Sequence, residues 1–149
     1  MLSAVVSALH LLALAIGLPA VYLRGRALKE PLDAGGFRRL FRADTLWGIA
    51  AFLWLATGLL RAFGGLEKGT AYYVSSRLFW TKMALFGLIV LLEIAPMLAF
   101  IRWRIQLKRG QAPDTSRAPA FYLVNHVEMA LVVLMVFVAA FMARGFGTG

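Results

Sequence analysis

Four long apolar stretches alternate with short polar segments along the chain. They extend over about residues 2–23, 45–66, 78–101 and 120–143. Each is close to the ~20 residues that an α-helix needs to cross the hydrocarbon core of a bilayer. The pattern predicts an all-α polytopic membrane protein, a four-transmembrane-helix bundle that forms one domain over residues 1–149. Asp44, just before the second stretch, is expected to cap that helix.

Basic residues are concentrated in two of the three connections. The basic residues of the second connection, residues 67–77, are only Lys68 and Arg77. The first connection holds Arg24, Arg26, Lys29, Arg38, Arg39 and Arg42, and the third holds Arg102, Arg104, Lys108, Arg109 and Arg117. Short basic connections stay on the cytoplasmic side of a membrane. We therefore expect a multi-pass protein of the bacterial inner membrane with both termini outside and the basic connections against anionic headgroups.

Composition supports this interpretation and excludes several others. The chain is 61% hydrophobic, and its 16 Lys and Arg against 7 Asp and Glu give a net charge of +9. Because the charges lie between apolar runs, we expect contact with lipid and not with nucleic acid.

No Lys or Arg precedes Arg24, so the apolar start indicates a spanning helix rather than a cleaved signal peptide. The absence of cysteine excludes disulfides, iron–sulfur clusters and thiolate haem ligation.

Ionisable residues within the apolar stretches are the candidates for function, because a charge inside a bilayer is energetically costly. In the predicted topology three of them belong to the outer half, Glu93 lies near the middle, and His126 and Glu128 belong to the inner half. The three outer residues are His10, Arg61 and Lys82. Lys82 and Glu93 share a helix face but stand about 16 Å apart along the axis, so they cannot pair directly.

Each outer residue has a structural and a functional interpretation. His10 is either an interhelical hydrogen-bonding residue or an axial haem ligand. Lys82 either extends its amine to the membrane surface or serves as a ligand or proton-transfer group. Arg61 either extends its guanidinium to the membrane surface in the same way or holds a propionate or another anion.

The deeper residues are interpreted separately. Glu93 must be neutral, paired or in contact with water, which makes it a candidate proton-relay residue. Asn125, His126 and Glu128 are expected to form a structural polar network near the inner boundary.

Several segments resemble a family of predicted four-helix bacterial membrane proteins of unknown function. They are residues 42–48 (RADTLWG), 56–61 (ATGLLR), 67–69 (EKG), Tyr72-Tyr73 and 79–83 (FWTKM). This resemblance covers nearly the whole chain and implies the four-helix fold without an activity.

Leu9-His10 and Trp80-Thr81-Lys82 resemble the HemJ-type protoporphyrinogen oxidases and the CopD-like membrane proteins. That resemblance implies a haem b site with His10 as the axial ligand to the iron and Lys82 as a second ligand or catalytic proton donor. Arg61 would then anchor a propionate, and Glu93 would be a second catalytic residue that carries protons.

The residues also support two functions of other classes. One is a non-catalytic accessory subunit of a larger membrane complex, in which buried polar residues only hold helices together. The other is a small proton or solute transporter component that uses Glu93 and Glu128, with its path at the interface of a homo-oligomer. Whether the chain is an enzyme is left open by its sequence.

Overall fold

The computed structural model describes residues 1–66 and 68–147, and within them every regular element is a helix. Glu67, Thr148 and Gly149, which belong to the predicted single domain, lie outside the described residues. In chain order the helices are α1 (Leu2–Lys29), α2 (Ala34–Phe63), α3 (Thr70–Ser75), α4 (Arg77–Lys108) and α5 (Ala118–Ala143).

Four of the helices are long and apolar enough to cross a membrane, and they are α1, α2, α4 and α5. The predicted all-α class with four spanning helices is therefore confirmed. The short α3 belongs to the connection between α2 and α4. The connections 30–33 and 109–117 lie at one end of the bundle, which we call the basic end because most Lys and Arg side chains surround it.

The spanning helices are longer than the predicted apolar stretches. The additional residues lie mainly at the basic end. They contain 26 to 32 residues, or about 39 to 48 Å at 1.5 Å per residue, against a hydrocarbon core of about 30 Å. Arg24 was assigned to a connection but lies inside α1. An apolar stretch shows which part of a helix lies in the lipid, but the helix itself continues into charged turns at the basic end. Those charged terminal turns were therefore assigned to the connections.

The prediction that Asp44 caps the second helix is wrong. The helix begins ten positions earlier, and Asp33 is its N-cap, with the backbone N–H of Gly36 donating to Asp33 Oδ1 at 2.7 Å. This hydrogen bond holds the pKa of Asp33 below its usual range. Asp44 is consequently a mid-helix residue whose carboxylate points into the bundle.

The bundle core consists of three apolar layers. Helix α1 packs against α2 and α5, and α5 packs against α4. The layers are a basic-end layer (Ala27, Leu28, Phe37, Leu40, Phe100, Trp103, Ala118, Phe121), a middle layer (Ala20, Val21, Trp47, Ile89, Val132, Met135) and an opposite-end layer (Ala62, Tyr73, Phe79, Met142). The buried polar side chains His10 and Thr57, and Arg24, Asn125 and Glu128, lie between these layers.

Helices α1 and α2 lie close together at Gly17. A Cβ atom at this position would lie 3.1 Å from Cβ of Ala50 and 3.5 Å from the Trp47 ring. Small residues allow helix backbones to approach in this way, which raises dispersion contact between them. Gly17 therefore sets the spacing between α1 and α2.

We expect Gly17→Leu to destabilise the bundle by about 1–3 kcal/mol, the usual result of overpacking a filled site. The measurement is thermal unfolding in detergent. Gly48→Leu is the matched control, because a Cβ at Gly48 in α2 meets nothing within 4 Å. Equal melting temperatures for the two variants would contradict the assignment of Gly17 as the contact point.

Candidate functional sites in the bundle

A buried arginine occupies the space between the basic-end and middle layers. Arg24 is 1% exposed, and its guanidinium forms two parallel hydrogen bonds to Glu93, Nη1 to Oε1 at 2.6 Å and Nη2 to Oε2 at 2.8 Å. Long helical side chains point back toward the N-terminus of their helix. The Arg24 side chain thus extends from the basic end toward the middle of the bundle, where it meets Glu93.

Three further side chains complete the coordination of Arg24. Nη2 also donates to Glu128 Oε2 at 2.6 Å, Nε donates to Asn125 Oδ1 at 2.7 Å, and Nη1 donates to Asp44 Oδ1 at 3.3 Å. A guanidinium has five N–H donors. All five therefore have an acceptor, and the acceptors come from α2, α4 and α5. We call these residues, with Arg104, the Arg24 cluster.

Additional contacts hold the acceptors of the cluster in place. Arg104 Nη2 donates to Asp44 Oδ2 at 2.8 Å, and Trp47 Nε1 donates to Glu93 Oε2 at 3.1 Å. The rings of Trp47 and Phe100 lie 5.7 and 5.8 Å from the guanidinium carbon. Aromatic faces attract a cation at this range. The cluster is therefore enclosed by rings as well as by hydrogen-bond partners.

The structure places the deep sequence candidates as follows. Glu93 is paired, which is one of the three states expected for an acid at that depth, and Asn125 and Glu128 share its partner, Arg24. His126 is half-buried beside them, but its Nδ1 bonds the backbone oxygen of Tyr122 at 2.9 Å. The expected polar network therefore includes Asn125 and Glu128. Its central residue is Arg24, which the sequence analysis had assigned to the first connection.

A cavity of about 410 Å³ lies between the middle and opposite-end layers. The three outer candidates, His10 from α1, Arg61 from α2 and Lys82 from α4, all line it. Most other lining residues are apolar or aromatic, including Trp54, Tyr72, Tyr73, Phe79, Met83 and Phe86. Its volume falls within the ~300–1,000 Å³ typical of pockets for small molecules and cofactors.

The hydrogen bonding of Thr57 fixes the tautomer of His10. The Thr57 hydroxyl donates to the backbone oxygen of Leu53 in its own helix, and His10 Nδ1 lies 2.8 Å from the same hydroxyl oxygen. A hydroxyl has only one proton, so Nδ1 of His10 must be the donor in this pair. In the neutral ring, Nε2 is then the nitrogen that carries the lone pair.

Glu93 does not line the cavity. The middle layer, which includes Ile89 of the same helix, separates the Arg24 cluster from the space that holds Lys82. The two residues predicted to be catalytic therefore belong to different sites.

These features define the class of protein, a four-helix integral membrane protein with a buried ion-pair cluster and a separate apolar cavity. The chain belongs to the family described as Predicted membrane protein (DUF2214), whose model matches residues 2–147. The predicted membership of an uncharacterised membrane family is thereby confirmed. Searches of curated proteins and of solved structures gave no match.

Replacing Arg24 is expected to destabilise the bundle strongly. Removing one partner of a buried ion pair leaves an uncompensated charge and costs about 3–5 kcal/mol. We expect Arg24→Gln to lower the melting temperature in detergent far more than Arg26→Gln does, since Arg26 is 66% exposed and pairs with Glu30 on the surface. Similar melting temperatures for both variants would show that the cluster contributes little to stability.

Proposed function

We propose that this protein is a haem-associated membrane protein of the HemJ-like type, with its haem b in the cavity between the middle and opposite-end layers. The observation that carries the proposal is the convergence of His10, Arg61 and Lys82, from three helices, on one apolar cavity. These are the residue types that bind haem iron and propionates.

The chemistry of the donor set fits a haem. His10 would ligate the iron through Nε2, because Nδ1 donates to Thr57. Ligating histidines commonly donate their second nitrogen in this way, which orients the ring. Lys82 is proposed as a second ligand or proton donor, and Arg61 as the partner of a propionate. The Trp54 ring, 6.0 Å from the imidazole, supplies an apolar wall beside it.

Bound haem would supply one-electron chemistry. The chain's own contribution is a largely apolar cavity, an oriented imidazole and the basic side chains of Arg61 and Lys82. That Glu93 carries protons to this site stays a prediction. The middle layer lies between Glu93 and the cavity.

The test is an oxidised and a dithionite-reduced absorption spectrum of protein purified in mild detergent after expression with haem available. We expect a Soret band corresponding to about one haem per chain. His10→Ala should lower the haem content by at least about tenfold, the scale on which metal sites respond to loss of a supporting group.

His126→Ala is the matched control for the haem measurement, because His126 is the other histidine and does not line the cavity. It should retain the haem content of the unchanged protein. Full haem content in His10→Ala would rule out the axial assignment. A featureless spectrum from the unchanged protein would instead favour an accessory subunit of a larger membrane complex.

We further propose that the protein resides in the bacterial inner membrane with its basic end in the cytoplasm. The support is the concentration of basic residues at that end, which includes Arg26 and Lys29 in α1, Lys108 at the end of α4 and Arg109 directly after it. Such an excess marks cytoplasmic segments.

Single-cysteine variants test this orientation, because the chain contains no cysteine of its own. We expect Gln111→Cys at the basic end to react with a membrane-impermeant maleimide only after the cells are permeabilised. Lys68→Cys, in the connection at the opposite end, should react in intact cells. The reverse pattern would invert the proposed topology.

A further inference from the structure

The Arg24 cluster contains more acidic than basic groups. The charged side chains that face one another are Arg24 from α1, Asp44 from α2, Glu93 and Arg104 from α4, and Glu128 from α5. Three carboxylates against two guanidinium groups leave one negative charge if every group is ionised. A net charge enclosed by apolar layers and aromatic rings is strongly unfavourable.

Hydrogen-bond donors are distributed unequally among the three carboxyl groups. Glu93 accepts from Nη1 and Nη2 of Arg24 and from Trp47, and Asp44 accepts from both arginines. From the described residues Glu128 accepts a single hydrogen bond, on Oε2. Its Oε1 is buried and has no hydrogen-bond partner within the described part of the chain.

Glu128 is also the most deeply enclosed of the three acids. Its side chain is 0% exposed, compared with 20% for Glu93 and 19% for Asp44. Its carboxylate lies beside that of Glu93, because both accept from the same nitrogen of Arg24. Burial and a neighbouring like charge both favour the neutral form of a carboxyl group.

We propose that the Arg24 cluster is a proton-binding site in which Glu128 carries one exchangeable proton. Binding forms one O–H bond on the Glu128 carboxyl group and removes the excess negative charge of the cluster; release returns the proton to water. Arg104, which is 35% exposed and bonded to Asp44, provides the contact of the cluster with water at the basic end. This site is independent of the proposed haem cavity.

The first experiment is infrared spectroscopy of the protein in detergent at neutral pH, with H₂O and D₂O compared. We expect a protonated-carboxyl C=O band that shifts in D₂O and is lost in Glu128→Gln. Glu30→Gln is the matched control, because Glu30 is a surface glutamate paired with Arg26 and Arg39. It should leave the band unchanged.

Thermal unfolding provides the second measurement. Glutamine has the shape and neutrality of protonated glutamic acid, so Glu128→Gln should unfold close to the temperature of the unchanged protein. Glu93→Gln should unfold at a clearly lower temperature, because it removes the charged partner of Arg24. The proposal is overturned if the unchanged protein lacks the band, if folded Glu128→Gln keeps it, or if Glu128→Gln is as unstable as Glu93→Gln.

Discussion

The bundle depends on one guanidinium group with five satisfied donors. Arg24 reaches from α1 to acceptors on α2, α4 and α5, so a single side chain touches all four spanning helices. A buried ion pair adds little net stability over a well-packed apolar core, but breaking one is severe. Its main effect here is alignment, because each helix must present its acceptor at one depth for the five bonds to form together.

That alignment separates two polar sites by an apolar layer. On the basic-end side of the middle layer lies the Arg24 cluster, where two guanidinium groups face three carboxyl groups. On the opposite-end side lies the cavity, where Thr57 orients His10 and a mostly apolar wall also carries the basic residues Arg61, Lys68 and Lys82. Ile89 and Val132, both buried in the middle layer, pack between the two sites.

The sequence predicted the helices and the outer candidates better than it predicted the ion-pair cluster. Apolar length identifies a spanning helix directly, and depth within a span was enough to group His10, Arg61 and Lys82. Arg24 was missed because an arginine after an apolar run has the same local pattern as one that begins a loop. Its partners lie 69 and 104 residues away in the chain. The available signal was the presence of Glu93 and Glu128 inside helices, since a buried acid that stays ionised needs a cationic partner.

The position of Arg24 has a consequence for biogenesis. The ribosome delivers α1 first, and at that stage Glu93 and Glu128 have not yet been synthesised, so the guanidinium has no partner inside the hydrocarbon. A long arginine near a helix end then extends to the headgroups. Only after α5 has been inserted are all the acceptors present. The full set of five hydrogen bonds can therefore form only at the end of insertion, when Asn125 and Glu128 of α5 join Asp44 of α2 and Glu93 of α4 around the guanidinium.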